Sequence, residues 1–163
     1  MDNGERISQL VGRLLGEDVD PNDEEIDGHP FYRAYFQCWN EQRYYEAHDV
    51  LEQLWLKKDA IDSPDATFLK GLIQATGAFV HLQKNFEQPR HKKHARRLRP
   101  AVSLFELAEK NLAPFKPRHY ALDVSPLLDL LRTTREKILA ADFKSNPWSP
   151  QSAPKLELLP GKN

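Results

Sequence analysis

Apolar positions along the chain recur mostly at steps of three and four, the spacing that lines one face of an α-helix. Ile7, Leu10, Val11, Leu14 and Leu15 form the first such stripe, and Gly16 is a natural stop. Pro30 suits the first turn of a second helix, where its missing N–H would have had no partner. Phe31, Tyr35, Phe36 and Trp39 supply that helix's large apolar groups, and residues 40–43 make a tight connection. A third helix is predicted over 44–57, with Tyr44, Ala47, Leu51, Leu54 and Trp55 as its inward stripe. Two aromatic-rich helices joined by a short polar turn predict an αα-hairpin.

Ser63, Pro64 and Asp65 offer an N-cap, a proline at the first helical position and an acid in the first turn. The fourth helix, predicted over 64–85, is apolar on nearly every side: Phe68, Leu69, Leu72, Ile73, Ala75, Phe79, Val80 and Leu82. A helix apolar all round is expected at the centre of a bundle. A fifth helical segment is predicted from Pro89 to Asn111, with Ala95, Leu98, Val102 and Phe105 inward and a kink or break at Pro100. Residues 111–124 read as loop, and Ser125-Pro126 opens a sixth helix carrying Leu127, Leu128, Leu130, Leu131 and Ile138. Pro147, Pro150, Pro154 and Pro160 forbid a helix beyond Lys144, so the tail should be extended or disordered. No segment alternates at two-residue spacing, and no sheet is expected. The fold class is therefore all-α, a compact bundle of five or six helices built from αα-hairpins. Its expected parts are an N-terminal helix with an acidic arm (1–28), the bundle (29–142) and a Pro-rich tail (143–163).

The 163 residues are 40% hydrophobic and 29% charged, which suits one packed domain and argues against wholesale disorder. A net charge of −1 supplies no global field toward nucleic acid or anionic membrane. The charge is unevenly placed, however. Residues 17–27 hold seven carboxylates and no lysine or arginine. Cys38 is the single cysteine, which rules out an intramolecular disulfide and a multi-cysteine metal site and reads as a small buried hydrophobe. The N-terminus does not resemble a signal peptide. The most apolar run, 71–82, contains Gln74 and His81 and falls short of the ~20 residues that span a bilayer. The expectation is a cytoplasmic protein with no membrane contact.

Two stretches together resemble a known family. The first is Tyr44-Tyr45-Glu46-Ala47-His48-Asp49-Val50-Leu51-Glu52-Gln53-Leu54-Trp55; the second begins at Phe68 and runs through Gly71-Leu72-Ile73-Gln74 to His81-Leu82. They are similar to the bacterial and archaeal family called domain of unknown function 309, whose hallmark is an E-A-H-E-x-L-E-x-x-W helix followed by a G-L-I-Q helix. Glu46, Ala47, His48, Leu51, Glu52, Trp55, Gly71, Leu72, Ile73 and Gln74 match, while Asp49 stands where the family more often has glutamate. The resemblance covers about residues 31–112 and implies a small all-helical fold, with no activity attached.

The motif residues admit several readings. His48 and Glu52 are four apart and share a face, beside Trp55, whereas Glu46, Asp49 and Gln53 should point outward. Lys70, Gln74, Gly77 and His81 line up on the fourth helix, which implies buried polar groups in need of partners. In antiparallel packing the His48–Glu52 face is expected to meet the Gln74–His81 face. The architectural reading makes this cluster a hydrogen-bond network that fixes helix register. A metal reading takes His48, Glu52 and His81 as ligands, and an acid–base reading takes His48 as a base raised by Glu52. A binding-module reading takes the hairpins as repeat-like, with a groove for a partner peptide or a second copy of the chain. The leading expectation is a non-enzymatic protein-interaction or structural module without a cofactor.

A nucleic-acid reading rests on Lys84, Arg90, Lys92, Lys93, Arg96, Arg97 and Arg99. Within it Lys92, Lys93, Arg96 and Arg97 are expected to share one helical face. The acidic arm is the expected neutralising partner of this run within the molecule, which makes nucleic acid the lesser alternative. His91 and His94 sit among cations and read as surface, His29 as a turn residue and His119 as a loop residue. Neither a glycine-rich phosphate loop, nor G-x-S-x-G, nor H-E-x-x-H occurs.

Overall fold

The computed structural model describes residues 2–22, 25–59 and 63–160. Among them run six α-helices: α1 (Asn3–Leu15), α2 (Pro30–Asn40), α3 (Tyr44–Asp59), α4 (Pro64–Glu87), α5 (Leu98–Leu112) and α6 (Val124–Ala140). One small departure from the all-α expectation is a two-stranded antiparallel ribbon, β1 (Arg118–His119) against β2 (Leu122–Asp123), closed by Tyr120 and Ala121 at positive φ.

Local chemistry explains the helix ends. Asp2 caps α1 through Glu5 N–H, and Gly16 closes it in the left-handed conformation at φ 67°. Buried His29 caps α2, its Nδ1 accepting from Phe31 N–H ahead of Pro30. Ser63 holds the N-cap position of α4, yet its hydroxyl makes no capping bond. Helix α6 starts one residue earlier than expected, at Val124, with Asp123 at the cap position, where its carboxylate accepts from Arg118 and makes no capping bond.

The α4 helix lies between α3 and α5, as its apolar circumference predicts. Tyr44 stacks on Phe79 and Gln83 donates to Gln42 O, so α3 and α4 run antiparallel. Tyr32 meets Phe68, Tyr35 reaches Leu72 and Trp39 meets Phe79, so α2 runs parallel to α4 along a ladder of buried aromatics. Tyr35 OH donates to Leu72 O at 2.9 Å and accepts from Thr76 Oγ1 at 2.6 Å. Burial pushes that phenol's pKa well above its ordinary range. Ile7 and Val11 from the N-terminal segment and Trp148 and Leu156 from the tail share the same core.

Two expectations are corrected. Residues 89–97 form turns and a 3₁₀ turn (His94–Arg96), not a helix. Pro100 falls in the first turn of α5, where proline is tolerated, so the break precedes it. Lys92, Lys93, Arg96 and Arg97 therefore do not share a helical face. The tail is extended as expected, but it is docked. Trp39 Nε1 donates to Pro154 O at 2.9 Å, Asn40 exchanges bonds with Leu156 at 2.8 and 2.7 Å, and Trp148 Nε1 donates to the Tyr44 hydroxyl at 3.1 Å.

Candidate functional site

On α3, with ~100° between successive residues, Tyr45, His48, Asp49, Glu52 and Leu56 fall within one arc of about 100°. The opposite face buries Ala47, Val50, Leu51 and Leu54. His48 and Glu52 thus stand outward, with side chains 32% and 44% exposed and His48 Nε2 lying 3.8 Å from Glu52 Oε2. The same imidazole's Nδ1 sits 3.5 Å from Asp49 Oδ1, and Arg6 of α1 lies 3.9 Å from that carboxylate. Glu46 is held by Arg43 from the preceding turn. Trp55 is half-buried, its Nε1 without a hydrogen-bond partner among the described residues. Along the helix axis Tyr45 and Leu56 bracket these groups, 65% and 51% exposed.

The second half of the motif faces the other way. An ideal Cβ on Gly71 would lie 2.7 Å from Leu112 Cγ, so this glycine permits the close approach of α5. Gln74 Oε1 accepts from Asn111 Nδ2 at 2.7 Å. His81 Nδ1 lies 2.9 Å from Arg97 Nη1. A guanidinium only donates, so that nitrogen accepts and the imidazole is neutral. Burial, then Arg97, lowers the pKa of His81. Lys70 is exposed.

The expected meeting of the two polar faces does not occur. Gln74 bonds α5 and His81 bonds the 94–97 turn, while α4 offers α2 and α3 its apolar positions and Thr76. Rather than one buried cluster, the motif forms an outward stripe on α3 and a packing seam between α4 and α5. Among the described residues no group of three or more His, Cys, Asp or Glu side chains is placed to hold a metal ion, His48, Glu52 and His81 included.

One cluster was not singled out from the sequence. Tyr120 OH donates to both oxygens of Asp65, at 2.9 and 3.0 Å, and His119 Nε2 lies 3.7 Å from Asp65 Oδ1. Tyr32 OH donates to Tyr120 O at 2.9 Å. Burial first, and Asp65 after it, push the Tyr120 phenol up to about 12. The group pins the β1–β2 hairpin to the first turn of α4. Its only sequence signal was a polar residue beside a tyrosine in a proline-flanked loop. Cys38 is buried and unpaired, and burial raises its thiol to about 12, so it carries no thiolate chemistry.

Fold and motif together define a small helical-hairpin domain whose characteristic residues divide between packing and an outward face. Residues 32–90 match the family model described as Domain of unknown function (DUF309), the family that the motif resembles. The match takes in α2, α3 and α4 but stops short of α5. No curated protein and no solved structure matches the chain. Among the described residues no helix is long and apolar enough to cross a membrane.

Proposed function

We propose that the chain is a non-enzymatic protein-interaction module whose partner docks on the outward face of α3. One observation carries this reading. Tyr45 and Leu56, the two most exposed large hydrophobic side chains, flank His48, Asp49 and Glu52 on a single stripe. Exposed apolar anchors beside ionic groups are the makings of an interface. The stripe carries Asp49 and Glu52, with Glu46 at its margin, so it suits a partner helix that presents leucine-like side chains between lysines or arginines. The acid–base alternative has weaker support, because 3.8 Å exceeds hydrogen-bond distance and an exposed pair gains little from its neighbour. The reading is of a cytoplasmic module, and one buried, unpaired cysteine is in keeping with a reducing compartment.

The test is an NMR titration with two synthetic amphipathic helices of equal length, one of leucine and lysine and one of leucine and glutamate. The basic peptide should shift the amides of Tyr45, His48, Asp49, Glu52 and Leu56, and Glu52→Lys with Asp49→Lys should abolish the effect. Shifts centred elsewhere, or equal response to the acidic peptide, would overturn the assignment.

A further inference from the structure

The 84–99 segment gathers Lys84, Arg90, Lys92, Lys93, Arg96, Arg97 and Arg99 against one acid, Glu87. Among the described residues none of the seven cations forms an ion pair. Arg97 is engaged only by neutral acceptors, His94 Nδ1 at 2.6 Å and His81 Nδ1 at 2.9 Å. Arg99 lies over the Phe143 ring at 4.1 Å. Beside them is a cleft of about 390 Å³ lined by Ala95, Arg96, Leu98, Arg99, Phe143 and one acid, Asp142. The charges converge in space as well as in sequence: Arg97, His91, Lys84 and Lys93 all act, after burial, to lower the pKa of His94.

In the acidic arm, the described carboxylates Glu17 and Asp27 are engaged away from this patch. Glu17 pairs with Arg33 on α2. Asp27 acts on Tyr32 and on Tyr120, and Tyr120 is bonded to Asp65 in the first turn of α4. The basic segment follows the last turn of that 24-residue helix, roughly 35 Å away at 1.5 Å per residue. At several Debye lengths, the two ends are electrically separate in physiological salt.

Flat rings border the cations. Phe86 is 43% exposed, its ring crossing that of Trp148 at 82° with 5.5 Å between centroids. The exposed His91 ring lies 4.3 Å from that of His94, tilted 31°. An acidic peptide would use the charges and leave the rings idle. Bases splayed from a phosphate chain would use both.

We propose that this basic cap binds a single-stranded nucleic acid, with Lys84, Arg90, Lys92, Lys93 and Arg96 on the phosphates and Phe86 and His91 under the bases. The site is separate from the α3 face and does not depend on it. The experiment is fluorescence anisotropy of the full chain with a labelled single-stranded oligonucleotide of about twelve nucleotides, across a salt series. Five phosphate contacts predict a slope of log K against log salt of about −3.5. Lys92→Gln/Lys93→Gln/Arg96→Gln should weaken binding at least about tenfold at low salt and flatten the slope by about 2. Arg13→Gln/Lys110→Gln/Lys116→Gln, an equal loss of exposed charge elsewhere, should change neither, and Tyr45→Ser/Leu56→Ser should bind as the parent does. Absence of binding at low salt would overturn the proposal, and so would an equal loss in the control triple variant. Stronger binding to poly-glutamate, to phosphatidylserine vesicles or to a duplex of the same length would overturn it as well.

Discussion

Gly71→Ala tests whether the motif glycine is a packing device. In solvent, alanine in place of a helical glycine gains about 1 kcal/mol. Here the added methyl would stand 2.7 Å from Leu112 Cγ, 2.9 Å from its Cδ2 and 3.2 Å from Asn111 Cβ. Leu112 is fully buried and has no room to swing away. Overpacking of this kind costs about 1–3 kcal/mol. Displacing Asn111 also weakens its bond to Gln74, worth about 1 kcal/mol. The net expectation is a loss of about 1–2 kcal/mol, or roughly 2–8 °C in Tm for a chain of this size. Gly77→Ala is the internal control. Its methyl would meet only Leu104 Cδ1, the end of a half-buried side chain, at 3.1 Å. That variant should match or exceed the parent by up to about 1 kcal/mol. Urea unfolding followed by circular dichroism, with an unchanged m-value, reads both. A Gly71→Ala protein as stable as the parent, or indistinguishable from Gly77→Ala, would refute the argument that this glycine sets the α4–α5 distance.

Four further outcomes are expected. His48→Ala and Glu52→Gln should stay within about 0.5 kcal/mol of the parent in urea unfolding, because their pair is exposed; Tyr35→Phe should lose about 1–2 kcal/mol, because its hydroxyl bonds are fully buried. Ending the chain after Phe143 removes Trp148 and Leu156 from the core and strips partners from Trp39 and Asn40. That truncation should cost at least about 3 kcal/mol and open the amides around Trp39 to hydrogen exchange. His81 has a lowered pKa in the fold, so its contribution to stability is intact above the unfolded value of about 6.5 and is lost as pH falls through the folded value. His81→Gln should flatten the urea midpoint between about pH 7.5 and 5.5, and an unchanged pH dependence would count against a half-buried neutral imidazole.

The helices that carry large apolar stripes were legible in the sequence because burial of one face is what makes them helices. Tyr35 and Trp39 on α2 meet Leu72 and Phe79 on α4 at the spacing the pattern predicts, while Tyr32, outside the predicted stripe, meets Phe68. The 89–97 segment misled because Ala95 and Leu98 mimic a stripe. Proline at both ends leaves too few residues for a stable helix, and the cations supply no apolar face. The tail's docking was hidden for a different reason. Several of its anchors are backbone groups of Pro154 and Leu156, which carry no residue signature. At the site, spacing placed His48 and Glu52 correctly on one face. It could not say which face looked outward, since that depends on where α1, α2 and α4 come to rest.

The same helix explains why the two charged ends are not equivalent. Asp65 in the first turn of α4 and Lys84 in its last turn both complement the helix dipole, a stabilisation of a few tenths to about 1 kcal/mol each. That benefit fades within one turn, so it does not reach Arg90, Lys92, Lys93 or Arg96. Those four gain nothing from α4 and repel one another, and among the described residues none of them forms an ion pair. A surface that serves only solubility mixes both signs. One that segregates four cations past the last turn of α4 and ahead of the first turn of α5, where the dipole disfavours positive charge, beside exposed rings, lowers the stability of the free chain and gains it back when a polyanion arrives. Stability should therefore rise on adding the single-stranded oligonucleotide at low salt, and the Lys92→Gln/Lys93→Gln/Arg96→Gln protein should be the more stable of the two without it.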